Sequence, residues 1–210
     1  MATKLIKGVI FDYGGIFCRV DDQMVTDYIA ESFDTPVKEF QPVFSRYIGL
    51  LDKGLIEEDD FWQKISLNLG KPVPGNKEIL FSKKWLEYVV FYEEMFAFVK
   101  KIKKSGFKTA VLSRVIKRLA EIVKGRNGYD DFDVVVLSYE VQVCKPDPKI
   151  YLLTAEKLGL SPENCLYIDD NPDYLIPAKK LEMRVLLGKN SKQIIGEVSE
   201  LLKLENNLIV

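Results

Sequence analysis

The sequence predicts an α/β fold, a doubly wound parallel sheet that carries a smaller all-helical insertion after its first strand. Short apolar runs typical of buried strands alternate with amphipathic helical patterns, as in sheets covered by helices on both faces. The alternation stops between residues 17 and 88, where the apolar residues follow helical spacing only. We therefore predict a core domain of residues 1–16 and 89–210 and a helical domain of residues 17–88.

Each predicted core element has its own local signal. Apolar runs predict five strands, and helical periodicity closed by a glycine predicts two of the helices between them. The strands are expected at 8–11, 107–112, 132–137, 165–168 and 185–187, and the two helices at 92–105 and 150–158. Residues 171 and 172, Asn-Pro, predict a capped helix start directly after the fourth strand.

Composition and charge exclude several classes of function. The chain has 210 residues, with 30 basic and 31 acidic side chains, so no net field attracts nucleic acid or an anionic membrane. No apolar run approaches the ~20 residues of a membrane span, and the N-terminus has no signal-peptide pattern. We expect a cytoplasmic protein, monomer or homodimer, with neither nucleic acid nor membrane as partner.

The residue types available also restrict the chemistry. The chain contains no histidine, which excludes mechanisms that use histidine as base and zinc sites with histidine ligands. Cys18, Cys144 and Cys165 are not spaced as a metal or redox pair, so free, buried thiols are expected. Carboxylates, lysine, hydroxyls and backbone groups remain to perform any reaction.

Four segments place reactive groups where strands end or helices begin. Asp12 ends the first apolar run and is followed by Gly14 and Gly15, which allow a sharp turn or the close approach of an anion. Ser113 ends the second strand, and Lys145 stands in Lys-Pro-Asp-Pro before a helical pattern. Asp169 and Asp170 end the fourth strand, where adjacent acids repel one another unless a cation is near. A metal site is the better interpretation of this pair.

Together, Asp12, Ser113, Lys145 and the Asp169–Asp170 pair resemble, in this order, the four motifs of the haloacid dehalogenase superfamily. The resemblance covers nearly the whole chain, including the helical insertion, which is similar to the cap domain of many members. It implies a Rossmann-like core and a Mg²⁺-dependent phosphatase that acts through an aspartyl-phosphate.

The resemblance also implies a role for each matching residue. Asp12 is the expected nucleophile, and Lys145 the charge that assists it. Mg²⁺ is expected on Asp12, the backbone carbonyl of Gly14, and Asp170 with Asp169 nearby. The phosphate-binding groups implied are Ser113, the Arg114 N–H, Lys145 and Gly15. Asp173 is a candidate outer-shell group of the metal site. The candidate substrate contacts from the cap are Arg19, Arg46 and Tyr47, which the sequence does not rank.

Two positions depart from the family pattern. Gly14 stands where phosphatases of the superfamily generally carry a second aspartate as general acid and base. A similar first motif occurs in the branch that includes bacterial glucose-1-phosphatase, and the phosphatase domain of epoxide hydrolase is another relative. A sugar released from its anomeric position is a less basic leaving group and needs the acid less. Arg114 stands where asparagine is common, and its side chain could bind a second substrate anion or pair with a cap acid.

Alternatives remain open for the function and for single residues. The first functional prediction is a phosphatase for a small phosphorylated metabolite, such as a sugar phosphate. The others are a phosphometabolite-binding protein with weak or no turnover, and a metal-independent 2-haloacid dehalogenase, against which the paired acids argue. Ser113 could instead cap a helix, Lys145 could form a surface salt bridge, and the paired acids could cap the helix before Pro172.

Overall fold

A computed structural model describes residues 5–204, and the predicted parallel sheet lies at its centre. Five strands pair in the order β5-β4-β1-β6-β7, and all four pairings are parallel. A two-stranded antiparallel sheet, β2 with β3, lies apart from it. The strands are β1 (Gly8–Phe11), β2 (Cys18–Arg19), β3 (Val90–Phe91), β4 (Lys108–Ser113), β5 (Val134–Leu137), β6 (Cys165–Asp169) and β7 (Arg184–Leu187).

Helices join the strands and follow the predicted alternation. They are α1 (Asp22–Ser32), α2 (Val37–Asp52), α3 (Glu58–Leu69), α4 (Ser82–Tyr88), α5 (Glu93–Lys104), α6 (Lys117–Gly125), α7 (Ser138–Val141), α8 (Pro148–Lys157), α9 (Pro172–Lys180) and α10 (Ser191–Leu202). The helix predicted at 150–158 begins two residues earlier, because the Asp147 side chain accepts from the Lys149 N–H and Pro148 fits the first helical turn.

The sheet is covered on both faces, which confirms the doubly wound arrangement. Side chains of α5, α6 and α10 pack in one hydrophobic cluster with Val9 and Phe11 of β1. Side chains of α8 and α9 pack in a second cluster with Ile10, which points to the opposite face. This alternation along β1 makes the strand apolar throughout and leaves its C-terminal end as the place for a polar group.

The segment from α1 to α4 forms a separate helical layer with its own hydrophobic cluster, which includes Phe40, Phe61 and Trp62. The prediction that residues 17–88 are only helical is wrong at one place, since β2 lies within them. Cys18 and Arg19 pair with Phe91 and Val90, a contact more than 70 residues away along the chain that no local pattern reveals. The domain boundaries themselves stay a prediction, and residues 1–4 and 205–210 of the predicted core lie outside the described residues.

The strand order brings the predicted site residues to one edge of the sheet. β1 lies between β4 and β6, and all three strands run in the same direction. Asp12, Ser113 and Asp169 therefore lie side by side at the carboxyl ends of neighbouring strands, where ligands bind in open α/β sheets. The three cysteines are buried and free, as predicted. Within residues 5–204, no helix has both the length and the apolar character needed to cross a membrane.

Candidate active site

The loop after β1 presents a buried carboxylate. The Asp12 N–H donates to the Ile168 carbonyl at 2.8 Å, which continues the sheet pairing for one more residue. The Asp12 side chain is 12 % exposed, and its Oδ1 accepts from the Tyr13 N–H at 2.7 Å. The carboxylate is therefore held by its own loop at the mouth of the sheet.

The two glycines of this loop have different roles. Gly15 has a φ of +72°, and a Cβ there would lie 2.1 Å from Oδ2 of Asp170, so only glycine fits. A Cβ at Gly14 would meet no heavy atom within 4 Å. The Gly15 N–H already donates to the Cys18 carbonyl at 2.8 Å, so it is not available to a phosphate in this conformation. In this conformation Gly15 leaves space for the Asp170 side chain, whereas the sequence predicted that Gly15 contacts the phosphate.

Lys145 lies at the centre of a buried ion-pair network. Its side chain is 1 % exposed, and Nζ lies 2.8 Å from Oδ1 of Asp12 and 2.7 Å from Oδ2 of Asp169. The Tyr167 hydroxyl also donates to Oδ2 of Asp169. The interpretation of Lys145 as a surface salt bridge is wrong, because the ammonium has left the solvent and is compensated by two carboxylates.

Burial and charge shift the pKa values of these groups. Burial raises the pKa of Asp12 to about 7, with Lys145 opposing the shift and Asp169 adding to it. Burial lowers the pKa of Lys145, but the two carboxylates more than offset this, and the net pKa is raised. Burial, with repulsion from Asp169, also raises the pKa of Asp170. Lys145 therefore stays charged, while Asp12 titrates near neutral pH.

The acidic side chains converge closely enough to hold a cation. Asp12, Asp169 and Asp170 each offer an oxygen, and these oxygens lie within 4.8 Å of one another. Oδ2 of Asp169 is engaged by Lys145 and Tyr167, and its Oδ1 accepts from the Asn171 N–H at 2.9 Å. The Asp170 side chain faces Gly15 and lines the cavity. Asp12 and Asp170 are thus the carboxylates best placed for a hard cation such as Mg²⁺, which prefers oxygen ligands.

The helix-capping alternatives are wrong for the residues at these strand ends. The N-cap of α9 is Asn171, whose side chain accepts from the Asp173 N–H. Neither Asp169 nor Asp170 therefore caps this helix. Helix α6 begins at Lys117 and its N-cap is Ile116, so Ser113 lies three residues too early to cap it. Ser113 is 4 % exposed. Its hydroxyl remains available to a ligand at the same edge as Asp12.

The Arg114 side chain connects the core to the helical layer. Its Nε lies 2.7 Å from Oδ2 of Asp52 at the end of α2, and its Nη1 donates to the Tyr174 hydroxyl at 3.1 Å. The Ser138 hydroxyl donates to the Asp52 backbone carbonyl at 2.5 Å. Of the two sequence-based interpretations, the pairing with a cap acid is the one observed here. The phosphate contact of the Arg114 backbone N–H stays a prediction.

A cavity of about 970 Å³ joins the predicted groups. Its lining contains all the predicted catalytic, phosphate-binding and metal-binding residues except Asp169, which is fully buried beneath it. The outer candidate Asp173 lies in the first turn of α9 and is not part of the lining. Of the cap-side candidates Arg19 lines the cavity, whereas Arg46 and Tyr47 both bond Asn68 on the helical layer instead. The lining residues that sequence reasoning missed include Tyr13, Asp52, Trp85, Tyr92, Tyr129 and Tyr174.

Sequence reasoning also missed Tyr167, which lies beneath the cavity, although the periodicity of its strand could have identified it. Tyr167 precedes Asp169 by two residues on β6, and side chains two apart on a strand share a face. No local sequence pattern could have identified Asp52, because it contacts Arg114 only when α2 packs against the core.

A carboxylate, a hydroxyl, a buried lysine and paired acids at the carboxyl edge of a doubly wound sheet define a hydrolase site built without histidine. The family model of haloacid dehalogenase-like hydrolases matches residues 6–181. The chain belongs to this family, which confirms the resemblance seen in its motifs.

Relatives and solved structures agree with this membership. Phosphatase MT3486 of Mycobacterium tuberculosis is 25 % identical over 198 residues, covering 90 % of this chain and 89 % of the relative. Phosphorylated carbohydrates phosphatase of Thermotoga maritima is 26 % identical over 190 residues, covering 87 % and 85 %.

The solved structures share the fold. A Bacteroides thetaiotaomicron family enzyme in complex with magnesium and inorganic phosphate has a TM-score of 0.72 at 20 % identity, covering 90 % of this chain and 98 % of that one. A predicted family hydrolase from Porphyromonas gingivalis has a TM-score of 0.80 at 19 % identity, covering 96 % and 100 %.

Proposed function

We propose that this protein is a Mg²⁺-dependent phosphatase that hydrolyses a small phosphorylated metabolite through an aspartyl-phosphate on Asp12. The observation that carries the proposal is the convergence of Asp12, Lys145 and Asp170 at one cavity. The names of the Mycobacterium and Thermotoga relatives, and the magnesium and phosphate bound by the Bacteroides enzyme, support it. The Thermotoga name makes sugar phosphates the first substrates to test.

In the proposed mechanism Asp12 acts as the nucleophile. An Asp12 oxygen attacks phosphorus, the bond from phosphorus to the ester oxygen breaks, and the leaving oxygen takes a proton from water and departs as the alcohol. A second water then attacks phosphorus of the aspartyl-phosphate and gives its proton to the hydroxide left by the first step, which breaks the bond to Asp12, releases phosphate and restores the carboxylate. Lys145 holds Asp12 in place at 2.8 Å and balances negative charge on the phosphoryl oxygens.

The cation would be held by residues already facing one another. Asp12, Asp170 and the Gly14 carbonyl are the proposed ligands, and all three residues line the cavity. Bound Mg²⁺ would supply positive charge that neutralises the phosphate oxygens. Asp169 acts as a positioning residue in this assignment, since it anchors Lys145 from beneath. Ser113 and the Arg114 N–H are the proposed donors to the phosphate.

A phosphate-release assay over sugar phosphates and other small monoesters tests the proposal. We expect release in the presence of Mg²⁺ and none in excess chelator. Magnesium-dependent binding of a phosphate ester with no release would favour the second candidate, a binding protein without turnover. The specific observation behind that candidate is the open space at Gly14, where no acid side chain assists the leaving group.

Restoring an acid at position 14 is expected to accelerate turnover. A side chain there meets no heavy atom within 4 Å of its Cβ, so Gly14→Asp can be accommodated. General acid assistance is worth ~10²–10⁴-fold, and we expect kcat for alkyl phosphates to rise by about 10²-fold. The gain should be much smaller for p-nitrophenyl phosphate, whose leaving group needs no proton. Gly14→Asn is the matched control, and an equal gain in that variant would contradict the role of a proton donor.

Magnesium affinity is expected to depend on pH. The pKa of Asp12 is raised to about 7 and that of Asp170 is also raised, so protons compete with the metal below neutral pH. Because the ligands bind as carboxylates, affinity should rise by about tenfold per pH unit from about pH 5 to about pH 7 and then level off. Titration calorimetry at several pH values measures this, together with proton release. An affinity that does not change with pH would contradict the ligand assignment.

A further inference from the structure

The Tyr174 side chain contacts Lys145 and Arg114 at the same time. Tyr174 lies in the first turn of α9 and lines the cavity. Nζ of Lys145 lies over its ring, 4.7 Å from the ring centroid, and Nη1 of Arg114 donates to its hydroxyl at 3.1 Å. The ring and the hydroxyl of one side chain therefore hold two different cations of the site.

The ring restrains the Lys145 ammonium. Asp12 and Asp169 hold Nζ at 2.8 Å and 2.7 Å, and the Tyr174 ring lies beside it. The face of an aromatic ring attracts a cation, more strongly where water is excluded, and the Lys145 side chain is only 1 % exposed. Because lysine is a point charge on a flexible four-carbon stem, the ring limits the movement of Nζ relative to Asp12.

Tyr174 is itself fixed from beneath. The Tyr151 hydroxyl donates to the Tyr174 backbone carbonyl at 2.8 Å, and Tyr151 is fully buried in the core. The backbone of Tyr174 is thus anchored, and the orientation of its ring depends on what its hydroxyl contacts.

The hydroxyl connects the ring to the helical layer. Arg114, which donates to it, is held on its other side by Asp52 at the end of α2, with Nε 2.7 Å from Oδ2. Hydrogen bonds in which a partner is charged are stronger than neutral ones. A continuous series of contacts therefore runs from Asp52 in the helical layer through Arg114 and Tyr174 to Lys145.

We propose that Tyr174 is a positioning residue through which the helical layer acts on Lys145, its ring holding the ammonium beside Asp12 and its hydroxyl tying that ring to Arg114 and Asp52. The inference rests on the proposed function and adds a regulation of its site. Lys145 is fully positioned only while α2 is docked on the core, because undocking removes Asp52 from Arg114 and releases the ring.

Two substitutions of Tyr174 separate the ring from the hydroxyl. We expect kcat for phosphate release to fall about 50-fold in Tyr174→Leu, which loses both contacts, and about fivefold in Tyr174→Phe, which keeps the ring. KM should change less than about threefold, since Lys145 acts on charge that develops in the transition state. Equal losses in the two variants, or a lower Tm with unchanged kcat, would overturn the role of the ring.

A double-mutant cycle tests the connection to the helical layer. Asp52→Asn should lower kcat about fivefold in the wild type and produce no further loss in Tyr174→Phe, because both act through the same contact. Independent effects, such as a direct contact of Asp52 with the substrate, would multiply to about 25-fold and overturn the connection. Glu58→Gln is the matched control, since Glu58 also joins the helical layer to the core, 2.6 Å from Arg118, but neither residue lines this cavity. It should keep wild-type kcat.

The ammonium protons of Lys145 give a measurement that needs no turnover. They are observed by NMR in protein labelled with ¹⁵N-lysine and assigned by their absence in Lys145→Met. A ring face shields protons above it, so we expect the signal to move downfield in Tyr174→Leu, part of the way in Asp52→Asn, and not at all in Glu58→Gln. These shifts without phosphate release would reject the phosphatase and support the positioning. A signal unchanged in Asp52→Asn would overturn the connection whether or not the protein releases phosphate.

Discussion

Replacing Asp12 with asparagine is expected to reduce phosphate release by about 10⁴-fold or more, the scale seen when a covalent nucleophile is removed. Asparagine keeps the shape and can still accept from the Tyr13 N–H and from Lys145, but its amide oxygen is a poor nucleophile. The measurement is phosphate release in Mg²⁺, with the intact mass of acid-quenched protein as a direct test for a phosphorylated enzyme.

A matched control separates this effect from a general loss of fold. Asp27 on α1 accepts a hydrogen bond from the Gln23 side chain and is not part of the cavity lining, so Asp27→Asn should keep wild-type turnover. The wild type should show a phosphorylated mass that maps to the peptide containing Asp12. Retention of more than a tenth of the activity in Asp12→Asn would falsify the assignment of Asp12 as nucleophile.

Replacing Lys145 with methionine is expected to remove activity and to lower the free energy of unfolding by about 3–5 kcal/mol, the cost of breaking a buried ion pair. Methionine fills a similar volume but leaves Asp12 and Asp169 buried without their cation. Urea denaturation of the two proteins at the same pH measures the difference.

The difference in free energy of unfolding between the wild type and Lys145→Met should change with pH. Burial and repulsion from Asp169 raise the folded-state pKa of Asp12 above its unfolded value, and the loss of Lys145 removes the charge that opposes this shift. Carboxyls shifted in this direction stabilise the fold when protonated, and that contribution is lost as pH rises through the folded pKa. The variant should therefore recover stability at about pH 5 and be weakest above neutral pH.

Two further variants test whether the loss of stability in Lys145→Met comes from the uncompensated buried acids. Lys124 pairs with Glu140 at the surface, both about half exposed, so Lys124→Met should cost about 1 kcal/mol or less at either pH. The double variant Lys145→Met with Asp169→Asn should regain part of the lost stability, since one of the two uncompensated acids is gone. A deficit in Lys145→Met that is small and independent of pH would contradict the buried network.

The residues at strand ends could be predicted because the information is local. A buried strand that ends in a polar residue identifies itself by its apolar run, and parallel strands bring their carboxyl ends to one edge. Asp12, Ser113, Asp169 and Asp170 were found in this way, and the structure places them together. Their ionisation could not be predicted, because the pKa of Asp12 depends on burial and on Lys145, which is 133 residues away along the chain.

The helical layer shows where local information ends. Its helices follow from apolar periodicity, but their docking depends on contacts between distant residues. The Arg114–Asp52 pair joins positions 62 apart, and the pairing of β2 with β3 joins Cys18 to Phe91. The sequence left two partners open for Arg114, and only the packed structure selected one.

The sequence by itself determined the α/β fold, the order of the reactive groups and the absence of a side chain at Gly14. Each depends on residue identity or on periodicity within one element. The tertiary structure alone decided that Lys145 is buried between two acids and that Asp170 faces Gly15. Burial, hydrogen bonding and electrostatic shifts arise between elements that meet only after folding, so no single stretch of the chain carries them.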